Sequence, residues 1–179
     1  NSSIYAMQPQ VIFAKNLQIW TESFGDKKNP AVLLIMGAGA QGLFWPQQFC
    51  EALANKGYYV IRYDHRDTGL SSSVDFRKTP YTMLSLAEDA VHILDNYGIK
   101  NAHIVGASMG GEVAVLMAAH YPNYVSTLTL LGTSTDLSPI FDDFQGTQAK
   151  SLLSKPKPIV FEAAKKMINP PETLQGKVD

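Results

Sequence analysis

Between residues 31 and 131 short, densely apolar runs alternate with longer stretches of helical period, and few folds accommodate that alternation. The runs at 31–36, 58–63, 102–106 and 125–131 have the length of strands, and the first is apolar at every position, as a strand covered on both faces must be. Pro46 reads as the first residue of a helix reaching about Lys56. Thr82 is placed to cap a helix to about Tyr97, with Met83, Leu86, Ala87, Ala90, Leu94 and Tyr97 on one stripe and Gly98 closing it. Residues 109–121 read as a largely apolar helix stopped by Pro122. Such alternation predicts an α/β fold, a mostly parallel sheet with helices on both faces. Two β patterns, 11–14 and 17–23, precede it and are followed by a polar turn at 25–30, so about six strands are expected.

After Gly132 the pattern changes. Residues 133–179 carry Pro139, Pro156, Pro158, Pro170 and Pro171, with helical patches near 142–153 and 159–168 and no further buried strand. Residues 1–132 are therefore read as the N-terminal part of a core and 133–179 as a separate region. Apolar residues make up 45% and charged residues 17% of the 179, the composition of a globular protein. A formal charge of −1 provides no basic field for nucleic acid or an anionic membrane. No apolar run reaches the length of a membrane span, and the first seven residues lack a signal-peptide pattern. The single cysteine, Cys50, cannot form an internal disulfide, which fits a reducing compartment, and a cytoplasmic location is expected.

Chemistry enters at Gly106-Ala107-Ser108-Met109-Gly110. Gly-x-Ser-x-Gly is a short pattern, and its placement between a buried strand and a helix gives it force. A serine on so tight a turn sits in a strained backbone conformation, and bulk at either glycine would collide with the neighbouring strand and helix. The hydroxyl then projects at a helix N-terminus, where the dipole and free N–H groups favour a developing anion. Ser108 is the expected nucleophile.

The stretch Gly37-Ala38-Gly39-Ala40-Gln41-Gly42 matches the dinucleotide fingerprint G-x-G-x-x-G after a strand, and Asp64 ends the next strand 22 residues beyond Gly42. Three features argue against an NAD-dependent oxidoreductase. Leu43-Phe44-Trp45-Pro46 delays the helix that the third glycine should open, two hairpin-like strands precede the first parallel strand, and a nucleophile elbow lies downstream. An oxyanion hole is the better use of this loop. Acyl transfer places negative charge on the former carbonyl oxygen, which two preorganised backbone N–H groups stabilise. Met109, the residue after the nucleophile, would supply one donor and Ala38 the other. Gly37, Leu43, Phe44, Trp45 and the Met109 side chain are expected to line an apolar pocket mouth.

The residues 34–39, the pair Trp45-Pro46, the stretch Arg62-Tyr63-Asp64-His65-Arg66-Asp67-Thr68-Gly69-Leu70-Ser71 and the Ser108 elbow together resemble α/β-hydrolases of the aclacinomycin methylesterase type, over about residues 11–135. The resemblance implies an α/β-hydrolase core and hydrolysis of an ester or related acyl bond, with no cofactor and no metal. Ser108 would be the nucleophile, and Ala38 and Met109 the oxyanion donors. Met36 stands where many relatives carry histidine before the glycine. In that family the loop holding Asp64, His65, Arg66 and Asp67 is structural, bracing the sheet's edge, and that role is expected here rather than a catalytic one. Residues 133–179 would begin the lid that shapes the pocket.

A serine needs a histidine to take its proton and a carboxylate to orient that histidine. In this family both follow the nucleophile, yet no histidine follows His120. His92, His103 and His120 sit mid-helix, on a strand and near a helix end, positions that suit packing or surface roles. Asp136, just after the sixth strand, is a candidate acid, although the usual acid follows a seventh strand. The remaining C-terminal strands, with acid and base, are expected in further sequence, and the 179-residue chain alone is expected to turn over negligibly.

The leading expectation is a serine esterase forming an acyl-enzyme on a small-molecule ester. Lactone, peptide and carbon–carbon bond hydrolysis and perhydrolysis are related chemistries, whereas haloalkane dehalogenation would need an aspartate at Ser108. The alternative class is a non-catalytic binding protein or inactive fragment on the same scaffold. A truncated sheet would expose an edge and apolar surface that invite self-association.

Overall fold

A computed structural model describes residues 8–134. Six strands form one sheet: β1 (Gln8–Ala14), β2 (Leu17–Phe24), β3 (Ala31–Ile35), β4 (Tyr59–Tyr63), β5 (Ala102–Ala107) and β6 (Val125–Leu131). Three helices connect the parallel strands: α1 (Gln47–Asn55), α2 (Met83–Asn96) and α3 (Met109–His120). Spatial order is β1-β2-β4-β3-β5-β6. The β1–β2 and β2–β4 pairs are antiparallel, and β4–β3, β3–β5 and β5–β6 are parallel. The mostly parallel sheet is thus the one the alternation predicted.

Strands β3 and β4 are buried at every position because helices cover both faces. Neighbouring side chains on a strand point to opposite faces, and the two cores follow that alternation. Leu33, Ile35, Ile61, Tyr63 and Ile104 pack with Leu86, Ala90 and Leu94 of α2 and Val113, Ala114 and Met117 of α3. Val32, Leu34 and Val60 pack on the other face with Phe24, Trp45 and the α1 residues Cys50 and Ala54. The α2 stripe forms as its period required, and the Thr82 N–H donates to Ser85 Oγ at 3.2 Å to begin the helix.

Two local readings are corrected. Pro46 has an extended ψ of 144° and caps α1 rather than opening it, so the helix starts one residue later, at Gln47. Trp45, expected at the pocket mouth, is instead buried and stacks on Phe49 at 5.7 Å. Strand β6 forms as expected but has only β5 beside it among the described residues, so Leu128, Leu130 and Leu131 remain exposed. No helix among the described residues is long and apolar enough to cross a membrane.

Candidate active site

The sheet register brings the glycine loop to the serine. Strands β3 and β5 are parallel neighbours, with Ile35 opposite Gly106. Gly37 and Ser108 each lie two residues further along, at the same carboxyl edge. They meet there: a Cβ placed on Gly37 would stand 3.1 Å from Ser108 Cβ and 3.5 Å from Ser108 Oγ. Glycine is what allows the loop backbone to approach the hydroxyl that closely.

Ser108 itself has φ 52° and ψ −125°, a positive φ that L-residues with a Cβ rarely adopt. It is the N-cap of α3, so the positive end of that helix lies beside the hydroxyl. Three hydrogen bonds hold the turn. The Ser108 N–H donates to the Leu131 carbonyl at 3.0 Å, and the Ser108 carbonyl accepts from the Gly111 N–H at 2.9 Å and from Thr133 Oγ1 at 2.5 Å. The flanking glycines are obligatory: a Cβ at Gly106 would lie 2.3 Å from the Gly110 carbonyl oxygen, and one at Gly110 would lie 2.2 Å from the Ile35 carbonyl oxygen. Backbone atoms cannot yield as a flexible side chain can. The strained turn is therefore pinned on both sides, and the serine remains exposed at its apex.

Both expected oxyanion donors lie at this edge. Met109 is the first residue of α3, so its N–H has no intrahelical acceptor. Ala38 is exposed, and its N–H has no hydrogen-bond acceptor among the described residues. Of the expected pocket residues Gly37 is buried against Ser108, Phe44 and Leu43 are exposed, and Met109 is half-buried. Asp136 lies outside the described residues.

The charged cluster after β4 is engaged in the scaffold. Asp64 accepts from the Gly42 N–H at 2.7 Å and the Leu70 N–H at 2.9 Å. A carboxylate so occupied by backbone is not the ribose ligand of a dinucleotide site, and Gly42 opens a short 3₁₀ turn (Gly42–Phe44) rather than the helix. Arg62 pairs with Glu22 inside the sheet, its Nε donating to Glu22 Oε2 at 2.7 Å, and a second nitrogen donates to the Trp45 carbonyl. Arg66 makes a bidentate pair with Asp89, both contacts at 2.7 Å. Asp67 accepts from the Val74 N–H and from Tyr81 Oη, whose hydroxyl burial pushes up to about 12. Ser71 Oγ accepts from the Trp20 N–H at 2.9 Å, tying the segment to β2.

Among the described residues no histidine hydrogen-bonds Ser108. His65 is buried, and its Nε2 is 2.8 Å from the Met36 carbonyl, to which it donates. Burial holds its imidazole below the usual range and so neutral. His103 Nδ1 pairs with Thr127 Oγ1 at 2.7 Å. His92 and His120 lie on α2 and at the end of α3. Sequence reasoning missed Thr133, whose only local signal is a hydroxyl just beyond Gly132, and it missed the particular bond between His65 and Met36. No group of three or more potential metal ligands occurs among the described residues.

Comparisons with known proteins agree with this geometry. The model of the alpha/beta hydrolase fold matches residues 30–169. The chain is 38% identical over 151 residues to a rhodomycin D methylesterase of Streptomyces sp. (strain C5), covering 84% of this chain and 49% of that protein. It is 34% identical over 143 residues to a 2-hydroxy-6-oxononadienedioate/2-hydroxy-6-oxononatrienedioate hydrolase of Burkholderia vietnamiensis, covering 79% of this chain and 49% of that protein. The chain thus spans about half the length of these curated relatives. Among solved structures, a 2-hydroxy-6-oxo-6-phenylhexa-2,4-dienoate hydrolase from Rhodococcus sp. strain RHA1 superposes with a TM-score of 0.71 at 20% identity, over 93% of this chain and 55% of that one, a likeness of fold alone. With most of its length matched by the family model and its sheet and elbow arranged as described, the chain belongs to the alpha/beta hydrolase fold family.

Proposed function

We propose that the protein is a cofactor-free serine hydrolase that cleaves a small-molecule carboxylic ester through an acyl-enzyme on Ser108. The observation that carries the reading is the strained Ser108 at a helix N-terminus, with the glycine loop so near that a Cβ added to Gly37 would stand 3.5 Å from the hydroxyl. Similarity to a methylesterase over 84% of the chain favours an ester as the substrate. Ser108 Oγ would attack the ester carbonyl while a histidine takes its proton. The amides of Ala38 and Met109 would hold the oxyanion of the tetrahedral intermediate. Collapse expels the alcohol, which receives the proton from the histidine, and water then releases the acid by the same steps in reverse. The histidine belongs to sequence outside the described residues. Asp136 is the candidate acid within this chain, and residues 133–179 would begin the lid over the pocket.

The test uses the whole gene product with a fluorophosphonate probe and short p-nitrophenyl esters, beside Ser108→Ala. Labelling and hydrolysis that disappear in the variant are expected. A wild type that neither labels nor turns over any ester would defeat the proposal in favour of a binding protein on this scaffold. Turnover of a 2-hydroxy-6-oxo-dienoate without ester hydrolysis would redirect it toward the kind of substrate printed in the name of the Burkholderia relative.

A further inference from the structure

The loop that carries the oxyanion donor is tied to the end of β4 at three points. His65 Nε2 donates to the Met36 carbonyl at 2.8 Å, Asp64 accepts from the Gly42 N–H at 2.7 Å, and Arg62 donates to the Trp45 carbonyl. The latter two hold the far end of the loop. The Met36 tie is the one next to the chemistry.

We propose that His65 is a positioning residue for the oxyanion hole, holding the Met36 carbonyl so that the Gly37 and Ala38 amides stand beside Ser108. This rests on the serine-hydrolase reading above. The Met36 carbonyl and the Gly37 N–H belong to one planar peptide unit, so fixing the oxygen fixes the plane from which the chain proceeds to Ala38. Gly37 cannot carry a side chain because Ser108 occupies that space, and without a Cβ it does little to restrain its own backbone. The restraint must come from outside the loop. The Met36 oxygen also lies 2.6 Å from the position a Cβ on Gly110 would take, so the same carbonyl abuts the first turn of α3. Held by His65, it keys the loop and the elbow to each other.

Packing alone does not account for this residue. His65 is buried edge-on to the Tyr63 ring at 5.2 Å, and its Nδ1 has no hydrogen-bond partner among the described residues. Phenylalanine would fill a similar volume without burying an unmatched nitrogen. The group that justifies an imidazole there is the Nε2–H.

Three forms of the whole gene product decide the matter: wild type, His65→Leu, and His65→Gln, whose amide nitrogen reaches the place of Nε2. His65→Leu should lower kcat for p-nitrophenyl acetate by about tenfold to a hundredfold, less than the loss expected for deleting an oxyanion donor outright. KM should stay within about twofold, since the oxyanion exists only beyond the ground state. His65→Gln should recover most of kcat. The Gly37, Ala38 and Ala40 amide resonances should shift in the leucine variant and return toward wild type in the glutamine variant, while those of α2 stay in place. A leucine variant with wild-type kcat overturns the proposal, as does equal loss in both variants with shifts throughout the sheet. If wild type itself neither labels with fluorophosphonate nor hydrolyses ester, the hydrolase reading fails. The amide resonances then still judge the tie, and unmoved Gly37 and Ala38 signals would overturn it.

Discussion

Ser108 should be worth more to stability as glycine than as any residue with a Cβ. At φ 52° and ψ −125° its Cβ is held in a conformation that costs about 1–3 kcal/mol. Ser108→Ala keeps that Cβ and removes only the hydroxyl, whereas Ser108→Gly removes both. Glycine pays about 0.5–1 kcal/mol of extra backbone entropy on folding. Subtracting a middle value of the second from a middle value of the first leaves about 1 kcal/mol in favour of the glycine variant over the alanine variant. The hydrogen bonds that hold the turn run from the Ser108 N–H to Leu131 and to the Ser108 carbonyl from Gly111 and Thr133, and both variants retain them. Glycine is also tolerated at an N-cap, with a loss of only a few tenths of a kcal/mol relative to serine. Urea unfolding of the two variants in parallel measures the difference as a shift in midpoint at constant m. In a thermal scan about 1 kcal/mol corresponds to roughly 2–4 °C for a domain of this size. An alanine variant as stable as the glycine variant, or more so, would refute the claim that the elbow is strained. Both variants should lack fluorophosphonate labelling.

The buried Glu22–Arg62 pair should be intolerant of losing one member. Both side chains are 4% exposed and the guanidinium also lies 5.1 Å from the centre of the Phe24 ring, so Glu22→Ala would leave a buried charge unpaired and cost about 3–5 kcal/mol in urea unfolding. A cost below about 1 kcal/mol would show that water or another group replaces the carboxylate. His65 predicts a pH dependence. Burial lowers its folded-state pKa, outweighing the Met36 hydrogen bond and the nearby Asp89 and Asp64, while the unfolded imidazole titrates near about 6.5. The unfolded chain then binds more protons, so stability is full above about pH 6.5 and falls as pH drops below it, by up to about 1.4 kcal/mol per unit until the folded value is passed. The stability difference between wild type and His65→Gln, followed by urea unfolding from pH 7.5 to 5, should therefore change with pH. A flat difference would contradict it.

Much of the site was legible in advance because it is made of local signals. A serine between two glycines, directly after an apolar strand and before a helix, announces a tight turn with its hydroxyl outward. The clashes of 2.3 and 2.2 Å at Gly106 and Gly110 are the reason those positions read as they do. Alternating apolar runs likewise specify strands and helices through their periods of two and 3.6 residues. Three residues in a row defeat that logic. Leu43-Phe44-Trp45 shows no period, and only packing against Cys50 and Phe49 decides that Trp45 turns inward while Leu43 and Phe44 remain exposed.

The amino-acid sequence by itself determined the strand and helix succession, the elbow at Ser108 and the glycine loop at Gly37, since each depends on neighbours within a few positions. Tertiary structure alone decided which distant groups meet. Strand β4 inserts between β2 and β3, so Arg62 faces Glu22, 40 residues away, and His65 reaches Met36, 29 residues away. It also brings Thr133 onto the Ser108 carbonyl, 25 residues away. Such meetings depend on strand order and register, which arise from burying both faces of the whole sheet at once and leave no mark in any short window of sequence.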